Sequence, residues 1–169
     1  PRRLHPTVFK DDQEAEPLWL KLGVPNKPVL LGEDTNFWAM GPTGPCGPCS
    51  EVYYDLGPES GQGPEDRVGG DGDRYIEVWN LVFMQFDRQP DGTLKPLPKK
   101  NIDTGMGLER LAMIVEGKSS PFQTSLFDPI RKAAADAIGV PAPDNRGAAG
   151  PSEAEVAMAY RIISDHVRE

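Results

Sequence analysis

The sequence predicts an α+β fold in which neighbouring antiparallel strands are flanked by helices. Two observations carry this. The most apolar stretch, Arg74 to Phe86, is rich in β-branched and aromatic residues and runs into Arg88-Gln89-Pro90-Asp91-Gly92-Thr93. The Pro-Asp-Gly there is the turn chemistry of a connection to a second strand, Thr93 to Leu97, which pairs antiparallel. On either side of these strands, apolar residues recur at helical spacing in segments that end at glycines.

The elements follow in order. Asp11 to Leu22 places Ala15, Leu18, Trp19 and Leu22 at helical spacing behind acidic residues, and Gly23 closes it. Lys27 to Leu31 is a short apolar run with the look of a strand, ended by Gly32. Asn36 to Met40 leads into Gly41-Pro42-Thr43-Gly44-Pro45-Cys46-Gly47-Pro48-Cys49-Ser50, where prolines fix φ and glycines relieve crowding; an ordered turn is expected. Glu51 to Leu56 reads as a strand. Gly57 to Asp73, with six glycines and Val68 as its one sizeable apolar residue, reads as a surface loop. Arg74 to Phe86 is too continuous for a half-exposed strand, so a central strand covered on both faces is expected. A helix follows Gly107, with Leu108, Leu111, Ile114 and Val115 on one side and Gly117 as its stop. Another spans Ser125 to Ile138, ended by Gly139. Pro141 to Gly150 has a linker's composition, and Ser152-Glu153-Ala154-Glu155 is a capping-box pattern opening a last helix with Val156, Tyr160, Ile163 and Val167 in register.

Composition narrows the function classes. Over 169 residues, 18 Lys+Arg stand against 26 Asp+Glu, a net charge of −8, which argues against a basic nucleic-acid groove in this segment. Hydrophobic residues are 38% of the chain, enough for an ordinary core. No apolar run approaches the ~20 residues that span a bilayer, and the start has no apolar signal core, so no membrane partner and a cytoplasmic location are expected. With no initiator Met and no C-cap at Glu169, the chain reads as a fragment. Two cysteines three apart make a disulfide framework a poor reading.

Three segments have chemical potential. Asp103-Thr104-Gly105-Met106-Gly107-Leu108-Glu109-Arg110 puts two glycines before a helix, where a ligand can approach the backbone and free N–H groups meet an anion, with Arg110 as a fixed cation and Asp103 able to hold an ammonium. Arg110 occupies the third glycine position of the dinucleotide fingerprint, so that motif fails, and no Walker loop is present. A Gly-punctuated turn with a surface Asp and Arg is the plainer alternative. In Tyr75 to Phe86, two-residue alternation places Asn80 beside Val82 and Met84, with Glu77, Trp79, Phe83 and Gln85 on the other face. A buried Asn or Glu needs partners, so these are site candidates; a core Asn bonded to a loop is the alternative. Cys46-Gly47-Pro48-Cys49 has redox or zinc half-site spacing, but His5 and His166 lie far off in sequence and two structural thiols are the better reading. Trp38 and Met40 are core or pocket lining. A nucleophilic triad cannot be assembled from two isolated histidines.

Taken together, Asn36 to Gly41, Gly44 to Glu51, Asp71 to Phe86 and Asp103 to Arg110 resemble the catalytic domain of the alanyl-tRNA synthetase family, in one order and over nearly the whole chain. The resemblance implies a class II aminoacyl-tRNA synthetase-like antiparallel sheet flanked by helices. Residues 1–140 would be the C-terminal portion of the catalytic domain including motif 3, 141–151 a linker, and 152–169 the start of the helical tRNA-recognition region. Such enzymes condense alanine with ATP, Mg²⁺ present, to alanyl-adenylate and esterify the 3′ end of tRNA(Ala). By resemblance Asp103 holds the alanine ammonium, Asn80 meets its polar end, and Trp38, Val82 and Gly105 shape the side-chain pocket. Gly107 lets adenosine lie against the backbone, and Arg110 is the motif 3 arginine near the ATP phosphates. Glu77 would serve ATP or its metal, but strict alternation points it away from Asn80, and only a bulge or strong twist brings both into one site. The family's motif 1 and motif 2 are absent here, so the segment alone is expected to be incomplete. No metal ligands are expected in it; the family's zinc belongs to an editing domain with no counterpart here. A non-catalytic synthetase-like binding or interaction module is the alternative.

Overall fold

The computed structural model describes residues 2–142 and 151–168, which pack as two units, one up to Gly107 and one from Leu108 onward. In the first unit β1 (Leu4–Phe9), β2 (Val29–Leu31), β3 (Phe37–Ala39), β4 (Gly44–Asp55), β5 (Tyr75–Arg88) and β6 (Leu94–Met106) form one sheet in the order β2-β1-β4-β5-β6, with β3 paired to β4 beside that path. Every pairing is antiparallel except β1 with β2. That parallel pair needs a crossover, and α1 (Ala15–Lys21) supplies it. The backbone ahead of α1 is held by Asp12, whose Oδ1 accepts from the N–H groups of Glu14 and Ala15. Gly23 then leaves the helix at φ +70°, as the sequence predicts.

The four-residue helix α2 (Glu33–Asn36) delivers Asn36 to a fully buried position. Its Nδ2 donates to Thr7 Oγ1 at 2.8 Å and to the Cys49 carbonyl at 3.0 Å. Thr7 Oγ1 also accepts from the Glu51 N–H, Ser50 Oγ donates to the Thr7 carbonyl, and Trp19 Nε1 donates to Ser50 Oγ at 2.7 Å. These polar groups tie α1, α2, β1 and β4 together beside the apolar core of Val8, Ala15, Val52 and Val78.

Several expectations are corrected. The Gly-Pro-Cys run is strand, not turn: β4 begins at Gly44, and its prolines sit where β4 passes between β3 and β5. Gly47 explains the tolerance, because a Cβ there would lie 2.1 Å from the Phe83 carbonyl oxygen, so only a glycine lets β5 come this close. β6 runs on through Met106 instead of ending at Leu97, since pairing with β5 outweighs the glycine at 105. β5 is central in pairing, yet only Val78 and Val82 are buried on it, so its faces are half-covered rather than sealed. The segment from Gly57 to Asp73 carries bonds of its own: Asp66 accepts from the N–H groups of Gly63 and Arg74, and the Gly72 N–H reaches the Glu65 carbonyl.

In the second unit α3 (Leu108–Glu116), 3₁₀ turns at Pro121–Gln123 and Ser125–Phe127, α4 (Asp128–Ile138) and α5 (Pro151–Arg168) follow in order. Gly117 and Gly139 end their helices at φ +64° and +68°. The buried positions include Met113, Phe127 and Tyr160, with Thr124 and Ser164, whereas Leu111, Val115 and Val167 of the predicted stripes are exposed. Met113 lies on the opposite side of α3 from Leu108, Leu111 and Val115, so the helix buries the face that spacing alone did not pick out. Residues 143–150 of the expected linker and the side chains of the Ser152 capping box lie outside the described residues.

Candidate active site on one face of the sheet

Residues directly opposite in an antiparallel pair share a face of the sheet. Asn80 on β5 lies across from Glu51 on β4 and Gly105 on β6; Val82 lies across from Cys49 and Asp103. Cys49, Glu51, Asn80, Val82, Asp103 and Gly105 therefore line one side. Trp38 joins them from β3, opposite Gly47, which is two residues before Cys49.

Glu77 is on this side too, against the strict alternation. Val52 pairs with Trp79 but Tyr53 pairs with Glu77, so Val78 is an extra residue in β5. This bulge reverses the parity below it and turns Glu77 to the face of Asn80. Its charge acts there on Glu51, Tyr53 and Cys49. The Val78 carbonyl accepts from the Gly107 N–H at 3.1 Å, which pins the exit of β6 against the bulge.

The side chains differ in setting. Asp103 and Gly105 are exposed on the edge strand, Val82 is buried, and Asn80, Trp38, Glu77 and Gly107 are half-buried. Asp103 Oδ1 accepts from the Thr104 N–H at 2.8 Å. A Cβ built on Gly105 would meet nothing within 4 Å, so the space beside Asn80 is open. Arg110 belongs to the second unit, exposed in the first turn of α3.

Sequence reasoning missed the group beneath Asn80. Glu51 is only 5% exposed, and it is bonded twice: Tyr53 Oη donates to Oε2 at 2.8 Å and Asn80 Nδ2 donates to Oε1 at 3.1 Å. Burial, opposed by the Tyr53 bond and reinforced by the Glu77 charge, raises the Glu51 carboxyl to about 7. Burial and then the Glu51 charge push Cys49 up to about 12, which keeps the thiol protonated and unreactive. Cys46 and Cys49 are both free and buried, and three residues apart along a strand they point to opposite faces. The signal for Glu51 was present as the alternation Cys49, Glu51, Tyr53, legible once β4 is begun at Gly44 rather than after the prolines. Among the described residues no three His, Cys, Asp or Glu side chains cluster as a metal cage, and no helix is long and apolar enough to cross a membrane.

The profile of the family described as tRNA synthetases class II (A) matches residues 1–169. The chain is similar to the alanine–tRNA ligase of Sulfurimonas denitrificans, 51% identical over 166 residues, and to that of Halorhodospira halophila, 51% identical over 170. It is 50% identical over 168 residues to the alanine–tRNA ligase of Idiomarina loihiensis. These alignments take in 98% to 99% of this chain and 18% of each relative, so the chain spans less than a fifth of the length of the proteins it matches.

Proposed function

Since this chain belongs to the class II (A) family of tRNA synthetases, we propose that it is the part of an alanine–tRNA ligase that binds alanine and positions ATP for adenylate formation. One observation carries this reading: the pairings Asn80 with Gly105 and Val82 with Asp103 set a carboxylate, an amide and an apolar floor around a glycine-sized gap. Such a gap fits a side chain as small as a methyl group, and Asp103 is the counter-charge for an ammonium.

In the reaction, the alanine carboxylate attacks the α-phosphorus of ATP in line, the bond to the β-phosphate oxygen breaks, and pyrophosphate leaves. The 3′-terminal hydroxyl of tRNA(Ala) then displaces AMP from the mixed anhydride. Asp103 orients the amino group, Trp38 and Val82 bound the methyl group, Gly107 offers backbone to adenosine, and Arg110 supplies positive charge for the phosphates. Mg²⁺ enters with ATP. Glu77 would offer it a carboxylate on this face, and the ion would supply positive charge for the phosphate oxygens.

Residues 1–140 form the C-terminal portion of the catalytic domain, 141–151 a linker, and 152–169 the start of the tRNA-recognition helices. The 169 residues alone give little activation, because the motif 2 arginine is not among them, and the zinc and the editing function reside elsewhere in the cytoplasmic parent ligase. The test is alanine-dependent pyrophosphate exchange by the full-length protein carrying this segment. Exchange is expected, with Asp103→Asn raising the alanine KM steeply because shape is kept and counter-charge lost. An unchanged alanine KM would remove Asp103 from the site, and absence of exchange would point to a non-catalytic synthetase-like module.

A further inference from the structure

We propose that Glu51 is a positioning residue that fixes which end of the Asn80 amide faces the bound amino acid, presenting Oδ1 as an acceptor for the substrate ammonium. The inference rests on the reading of this face as the alanine site. It goes beyond it by assigning a role to a residue beneath the pocket that touches no substrate.

The two ends of an Asn amide have opposite chemistry: Nδ2 only donates and Oδ1 only accepts. Above about pH 7 the Glu51 carboxyl is ionised and only accepts, so there it tolerates Nδ2 and repels Oδ1. Glu51 Oε1 takes the Asn80 Nδ2 bond at 3.1 Å, and Tyr53 Oη holds Oε2 at 2.8 Å, so the carboxylate is held from both oxygens. Nδ2 is thereby committed to the sheet.

What remains is Oδ1, which is buried and has no hydrogen-bond partner. A comparable orphan, Asn36 Oδ1, sits on a side chain with no exposure at all, inside the polar knot between β1 and β4. Asn80 differs because it is half-buried and stands across from Gly105, whose Cβ direction is empty. A ligand seated in that space would stand beside this side chain, where its donor would supply the partner that Oδ1 lacks. On the adjoining register pair stands Asp103, a second acceptor. A ligand group that faces a carboxylate and an amide oxygen together must donate, and an ammonium carries both the protons and the charge. A substrate carboxylate in the same place would meet two acceptors and be rejected. Glu51 thus sets the direction in which the amino acid lies, and discriminates amino acids from hydroxy or simple carboxylic acids of the same size.

The test uses the full-length ligase with Glu51→Gln, whose own amide accepts either orientation of Asn80 and carries no charge. The alanine KM is expected to rise about tenfold, the factor that corresponds to 1.4 kcal/mol, while the KM for ATP is unchanged. Competitive inhibition by alaninol, which keeps the ammonium and lacks the carboxylate, should weaken in parallel, and inhibition by propionate, which lacks the ammonium, should not. An unchanged alanine KM, or a loss confined to propionate, overturns the proposal. If Glu51→Gln does not fold, Tyr53→Phe frees one carboxylate oxygen and should raise the same constant by a smaller factor; no rise there counts equally against it. Asp103→Asn separates the two levels. If that variant raises the alanine KM and Glu51→Gln does not, only the positioning role is lost, whereas an effect of neither removes the alanine site itself.

Discussion

Glu77 lies across from Tyr53 because Val78 is one residue too many for the ladder between β4 and β5. This single insertion decides the chemistry of the face. Without it, Glu77 would share its side with Trp79, and the pocket would hold Asn80 with only Glu51 and Asp103 as carboxylates nearby. With it, Glu51 and Glu77 on adjacent strands act on the same small region, and the Val78 carbonyl is freed to accept from Gly107. The bulge therefore couples the position of a candidate ATP or metal carboxylate to the glycine at which β6 ends.

Gly105 gives the most direct probe of the pocket. Its backbone is in a region open to any residue, and an added Cβ meets nothing, so Gly105→Ala should leave the melting temperature close to that of the parent. The new methyl group would occupy the space beside Asn80. In the full-length ligase the alanine KM is expected to rise by about tenfold or more, the scale of one methylene in a small apolar pocket. Steady-state exchange at varied alanine checks this; an unaltered KM would show that alanine does not use the space next to Asn80.

Gly47 makes the opposite case on the same strand face. A Cβ there would fall 2.1 Å from Phe83 O and 3.0 Å from Gln85 N, both main-chain atoms of a paired strand, which cannot turn aside as a side chain can. Gly47→Ala should cost about 3 kcal/mol or more, at the upper end of overpacking penalties. Thermal or urea unfolding of the chain would register this as a large drop. A loss below that for Gly105→Ala would mean that β5 can move away from β4 without cost.

The sequence was readable where local pattern and tertiary context agree. The helix ends at Gly23, Gly117 and Gly139 were predicted because a left-handed residue ends a helix wherever it lies. The β5–β6 hairpin followed from Pro-Asp-Gly, and Asn80 beside Val82 followed from the period of a strand. The reading failed where pairing overrides local preference. Pro45 and Pro48 look like turn residues, yet β4 absorbs them beside a shift in its register with β5. The parity of Glu77 depends on a register shift that no local count of residues can reveal. Glu51 was hidden for a related reason: its role comes from Asn80 on one neighbouring strand and Tyr53 on its own, a relation visible only once the register is known.

The raised carboxyl of Glu51 makes a stability prediction with a definite sign. Its ordinary value is 4.5 and its folded value about 7, with burial the main cause, the Tyr53 bond opposing it and the Glu77 charge adding to it. Between these two values the folded chain holds a proton that the unfolded chain has released, so stability falls as pH rises from 4.5 to about 7 and the penalty is complete above that. At about 1.4 kcal/mol per pKa unit, the penalty is on the order of 3 kcal/mol. Glu51→Gln removes the titrating group, so its melting temperature should gain on the parent through this window and hold a constant lead at higher pH. Asp55 behaves oppositely: the Arg74 guanidinium, bonded at 2.7 and 2.9 Å, lowers its pKa, and its contribution is lost on acidification. Because Asp55 is present in both proteins, it cancels in the difference. Glu77→Gln should move the window to lower pH, since one of the charges that holds the Glu51 proton in place is gone. A difference between Glu51→Gln and parent that does not change with pH would show that Glu51 keeps an ordinary carboxylate titration.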